Sequence, residues 1–304
     1  MKRFTVLSLA VLMLLIVFAS AASAAARSNV YNGSDIDDII DTYGDGTSLT
    51  IDAAEFEGFY YDIDNDVKTE TISIKDVSGT QSNVIGESGL VYETQIQQVA
   101  YEYENANAGW NQYPIIGFFG EGYIPLQSNS ADKLAKLILD SDDKYTIITG
   151  ETLDLGQGYT LEAKQIDVDG EKVWLQFNKD GEYVDDKIIS VGTDNSTWDV
   201  ELDDVQDEDD VVVLRVHVNQ VFQGASDSIA QIEGIWLIDY ANAMTIESDD
   251  DFCNLNDVLI NGDTLSISNE NTFILVRNSD QEIAENMYFH IANTNPDVLR
   301  FYLW

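Results

Sequence analysis

The sequence predicts an all-β protein: two β-sandwich subdomains joined by a connector containing a short helix. Three observations carry that prediction. Apolar residues recur at every second position along most of the chain, which is the period of a half-buried strand. Gly and Asp-Gly signals punctuate these runs, and twelve or more short strands so separated are the pattern of sandwiches. One stretch alone, just after residue 128, has the apolar spacing of a helix.

Residues 1–24 carry Lys2 and Arg3, an apolar run over 4–18, and then Ala22, Ser23 and Ala24. Basic, apolar and small residues in that order predict a signal peptide, hence an exported protein, and the apolar run is short for a membrane span. Residues 25–48 are small and polar around Gly44, Asp45 and Gly46, and read as a flexible lead-in. Residues 49–128 begin the first sandwich. Leu49 and Ile51 alternate, Phe59, Tyr61 and Ile63 follow, then Ile72 and Ile74. Val91, Thr94, Ile96, Val99 and Tyr101 mark a less regular strand region. The aromatic run 113–126 is broken by Gly117, Gly120 and Gly122, which mark a bulge or bend.

Residues 129–144 are the predicted connector. Leu134, Leu137 and Ile138 fall on one helical face, with Ser130 or Asn129 as N-cap. Residues 145–246 form the second, inserted sandwich. Tyr159, Leu161 and Ala163 alternate, as do Val173, Leu175 and Phe177, with Asp169-Gly170 between them and Asp180-Gly181 after them as hairpin turns. Val212, Leu214, Val216 and Val218 line one face of a strand that carries Arg215 and His217 on the other. The run 234–240 is apolar on both faces, the mark of a central strand. Residues 252–304 return to complete the first sandwich, which is therefore discontinuous.

The chain holds 55 acidic and 15 basic residues, a net charge of −40, and 36 of the acids are Asp. Such a surface repels nucleic acid and anionic lipid and gathers cations. Hydrophobic content of 44% excludes a disordered acidic tail. Chemistry is scarce. The two histidines, His217 and His290, sit in different predicted strands, and no Cys/His cluster, Gly-x-Ser-x-Gly elbow or phosphate-binding Gly-rich loop occurs. With 55 carboxylates the pair a glycosidase requires carries no information, so no catalytic residue and no cofactor is assigned. Cys253 is the single cysteine, excludes an intrachain disulfide, and is expected as a small buried hydrophobe.

Asp62, Asp64 and Asp66 have the spacing that opens a calcium loop, but Val67 and Ser73 stand where an EF-hand needs Gly and Glu. Asp249, Asp250 and Asp251 form a second cluster, and residues 199–210 hold eight acids in twelve positions. These are expected to be solvated faces, with weak bridging of Ca or Mg between subunits as their candidate role. Asn195 and Asn32 head Asn-x-Ser/Thr triplets and are the candidate glycosylation sites. Phe118, Phe119 and Tyr123 sit among glycines. They read either as a stacking platform for surface glycans or, with more weight, as core.

The chain resembles the S-layer duplication domain of methanogenic archaea of the Methanosarcina type. The resemblance rests on residues 131–137, 158–170, 173–175, 198–199, 209–218, 222–224, 233–239 and 299–303 and covers about residues 50–304. It implies two β-sandwich subdomains and a secreted, glycosylated protein that tiles the cell surface as a porous, negatively charged sheet. Its partners would be itself or other S-layer subunits, with no nucleic acid. Major family members carry two copies and a C-terminal membrane span. This sequence shows one copy and no second apolar stretch, so no C-terminal span is expected. The alternative is an accessory extracellular carbohydrate- or cation-binding β-sandwich module.

Overall fold

The structure is a computed structural model that describes residues 28–32, 48–75, 83–105, 109–192, 196–284, 286–293 and 299–304. It is all-β. The predicted leader and Asn195 lie outside the described residues. Four sheets of four or more strands carry two cores. A five-stranded antiparallel sheet is ordered Leu49–Asp52, Glu70–Ile74, Leu90–Gln95, Thr264–Ser268, Asp257–Asn261. It shares a core with a four-stranded sheet ordered Tyr31–Asn32, Arg300–Leu303, Met287–Ile291, Ser279–Ala284. Alternation builds both: in Glu70–Ile74 every second residue is buried, and Met, Phe and Ile of Met287–Ile291 point inward together.

The second core lies between a meander of residues 152–190 and an eight-stranded sheet. The meander runs Thr152–Gly156, Tyr159–Asp167, Lys172–Lys179, Glu182–Ser190, and both predicted Asp-Gly turns fall at its hairpins. The eight-stranded sheet is ordered Thr197–Leu202, Val211–Gln223, Ser228–Ile238, Ser130–Ile148, Glu121–Gln127, Trp110–Phe118, Gln97–Asn105, with Met244–Thr245 also on Ser130–Ile148. Ser228–Ile238 has partners on both sides, as its doubly apolar sequence requires.

Two expectations are corrected here. Residues 130–139 are not a helix but the first half of the Ser130–Ile148 strand, 19 residues long. Leu134 lies in the first core and its neighbour Ala135 in the second, both with no exposed surface. Where a strand is buried on both faces, as at Leu134 and Ala135, period-two alternation is lost, and register shifts at Leu137/Leu139 and Ser141/Lys144 scramble it further. Residues 28–32, read as part of a flexible lead-in, are tied to the fold, with Tyr31–Asn32 as an edge strand. Tyr31 pairs with Phe301, Ser28 donates its amide to Leu303 at 2.7 Å, and Tyr31 is buried.

One carboxylate is built into the first core. Glu70 has no exposed surface and accepts from the Tyr60 amide (2.6 Å), the Tyr92 hydroxyl (2.7 Å) and the Gly120 amide (2.9 Å). A side chain at Gly117 would lie 2.6 Å from this carboxylate and 2.7 Å from Tyr60, so the glycines of the aromatic run make room for the staple.

Candidate functional site

The eight-stranded sheet carries a cleft of about 570 Å³ whose lining includes Tyr101, Tyr113, Trp236, Arg215, Asp209 and Asp210. Tyr101, Tyr113 and Trp236 form a mutually packed floor with ring centroids 4.7–6.0 Å apart. Arg215 is held by a two-point bond to Asp199, Nε to Oδ1 at 2.8 Å and Nη2 to Oδ2 at 3.0 Å, and donates from Nη1 to the Gly109 carbonyl at 2.9 Å. Its guanidinium also lies over the rings of Tyr101 and Trp110. So this cation is bound internally and leaves the acidic rim uncompensated.

Carboxylates gather beside that floor. The Tyr113 hydroxyl and the Glu102 amide both donate to Asp140. Burial pushes the Asp140 carboxyl up to about 6, aided by the charges of Glu102 and Asp62 and opposed by those hydrogen bonds. Glu102 is raised as well, by desolvation first and then by Asp64, Asp142 and Asp62. The result is a patch of concentrated negative potential contributed by three separate segments. Sequence reasoning missed Asp140, because residue 140 was assigned to the end of a helix.

The residues singled out from sequence fall as follows. Asp62 caps the turn between strands Tyr61–Asp62 and Val67–Lys68: its Oδ1 accepts the amides of Asp64 and Asn65 at 3.0 Å. Asp66 accepts from the Tyr61 hydroxyl at 2.9 Å and lies 3.4 Å from Lys68. Asp250 accepts the Glu247 amide at 2.9 Å in an exposed turn that also holds Asp249 and Asp251. Among the described residues no three His, Cys, Asp or Glu side chains converge as a metal centre. Asn32 is a strand residue opposite Arg300. Cys253 corrects the expectation of burial: it is exposed, on a turn with φ of 65°. Phe118 is core, with Phe119 and Tyr123 packed against it. His217 is buried and stacked on Tyr103, with desolvation pushing its pKa down, while the His290 ring bonds Asp280 at 2.6 Å. The Thr197 hydroxyl lies 3.2 Å from His217 Nδ1 and also accepts from the Trp110 indole N–H at 3.2 Å, and no described helix is long and apolar enough to cross a membrane.

Comparison with known proteins gives this geometry a context. A family model described as S-layer protein matches residues 41–293. The chain is 70% identical over 309 residues to the Major S-layer protein of Methanosarcina acetivorans, covering 99% of this chain and 46% of that protein. It is 69% identical over 307 residues to the protein of the same name from Methanosarcina barkeri, covering 100% and 45%. For Methanosarcina mazei the figures are 69% over 308 residues, 99% and 46%. The chain thus spans about half the length of the curated relatives it matches. With the family model matching most of its length, and with the β-sheet fold and acidity that the resemblance implied, the chain belongs to the S-layer protein family.

Proposed function

We propose that the protein is a non-catalytic building unit of a cell-surface layer, exported and self-associating into a porous, negatively charged sheet. The observation that carries this reading is the 69–70% identity, along essentially the whole chain, to proteins named Major S-layer protein. The chemistry supports it. A net charge of −40 on a rigid β scaffold makes each pore wall a cation-enriching, anion-excluding surface. The organisation supports it too. The first core is drawn from residues 31–134 and 246–303, so both ends of the chain close on one unit, while strands Gln97–Asn105, Trp110–Phe118 and Glu121–Gln127 join the eight-stranded sheet. Between copies, like charges this dense need a bridge. We assign that role to Ca or Mg on exposed clusters such as Asp249, Asp250 and Asp251, and N-linked glycan to Asn195 and Asn32.

Electron microscopy of the purified chain with and without millimolar calcium tests the reading. Ordered sheets or tubes that form with calcium and dissolve in chelator are expected. A monodisperse monomer in both conditions refutes cation-bridged self-assembly.

A further inference from the structure

The meander of residues 152–190 turns one face to the core, and its other face carries an arrangement that the layer itself does not require. Val173, Leu175 and Phe177 point inward, which leaves Trp174 outward and 36% exposed, whereas Trp110, Trp198 and Trp236 are at most 3% exposed. Across the sheet Trp174 pairs with Gln165 on one side and with Ile188, 62% exposed, on the other. Asp186 lies two pairs further along, opposite Gln176. Its Oδ2 accepts the Trp174 indole N–H at 2.6 Å and its Oδ1 accepts the Tyr183 hydroxyl at 2.7 Å. A single carboxylate therefore fastens two exposed rings by their polar tips and leaves their apolar surfaces to solvent. Beside Trp174 is a hollow of about 140 Å³ lined by Gln165, Asp167, Lys172, Trp174 and Ile188.

Exposed apolar residues on a sheet face usually mark a protein contact. Two quantities argue for another occupant here. At about 200 Å² per side chain, the exposed parts of Trp174, Tyr183 and Ile188 amount to roughly 300 Å², against about 800 Å² per partner in a stable protein interface. A second copy would also bring its charge of −40 against a face already holding Asp167 and Asp186. A neutral sugar meets neither obstacle. Its C–H face matches an aromatic ring, and its hydroxyls both donate and accept at the ring edge. The hollow supplies an amide (Gln165), a carboxylate (Asp167) and an ammonium (Lys172) for them. Because the rings are already fastened by Asp186, little side-chain entropy is lost on binding.

We propose that this face binds a free, neutral oligosaccharide chain, with pyranose rings stacked on Trp174 and Tyr183 and hydroxyls bonded in the hollow beside Trp174. The test is titration of the purified chain with neutral gluco-, manno- and chito-hexasaccharides, followed by tryptophan fluorescence and calorimetry. Sedimentation velocity is run on the same samples, and circular dichroism confirms that each variant is folded. At least one hexasaccharide is expected to bind and shift the emission of Trp174. Trp174→Ala should weaken binding about tenfold or more, and Asp186→Asn, which loosens the fastening while keeping both rings, severalfold. Failure of all three sugars to bind overturns the proposal, as does a folded Trp174→Ala variant that binds like the parent. Loss of self-association in Trp174→Ala, with no sugar bound by the parent, overturns it in favour of a subunit contact.

Discussion

Asp140 shows what a single residue contributes to a molecule with 55 acids. Most of those carboxylates sit in water, but this one is half-buried against Tyr113 with Glu102 and Asp62 nearby, and its pKa rises from 3.8 to about 6. Between these two values the folded state holds a proton that the unfolded chain has released. Stability contributed at this site therefore falls as pH climbs from about 4 to about 6, and the penalty stays constant above that. Discounted for partial exposure, it is worth about 1–2 kcal/mol. Asp140→Asn keeps an acceptor for the Tyr113 hydroxyl and removes the charge. Thermal melts from pH 4 to 8 should show the variant more stable than the parent at pH 8, with the difference shrinking towards pH 4. A difference that does not change with pH would count against a titrating Asp140.

At the scale of elements, the strand Ser130–Ile148 decides how the chain is organised. Its residues Leu134 and Ala135 are sequence neighbours in opposite cores. Leu134→Ala should therefore lose about 2–5 kcal/mol through a cavity. Ala135→Leu should lose about 1–3 kcal/mol through overpacking, where a helix with residue 135 on its outer face would tolerate it. Urea melts of the two variants check this, and a neutral Ala135→Leu would contradict the two-sided burial. The same strand marks the limit of what the sequence discloses. Residues 159–179 were legible, because one face of their sheet is wet and Asp-Gly turns fix the hairpins. Residues 130–139 were not, because the adjacent Leu134 and Ala135 are buried on opposite faces and break the alternation, and Leu134, Leu137 and Ile138 happen to match a helical face. Glu70 was equally silent. It is one acid among many until a glycine-lined turn some 50 residues later closes over it. The outward position of Trp174 follows from the alternation of Val173 and Leu175, but its fastening to Asp186 depends on strand register, which the residues alone do not state.

For the whole molecule, the excess of 40 negative charges is a force that pushes the chain apart. Raising NaCl from about 10 mM to 1 M shortens the screening length from about 30 to 3 Å, and so weakens that repulsion. The melting temperature is accordingly expected to rise over that range, and a flat or falling midpoint in calorimetry would show that self-repulsion is not limiting. Against this outward pressure the two cores share one continuous member. At about 3.3 Å per residue the strand Ser130–Ile148 is roughly 60 Å long. Glu121–Gln127 and Met244–Thr245 flank its first half, and Ser228–Ile238 flanks the second. In mechanical language it is a tie rod. Tension applied along it loads the flanking hydrogen bonds in shear, many at once, instead of peeling them one by one. A coat stretched by the pressure of its contents would, along this line, yield first at the joints between units and only afterwards within one.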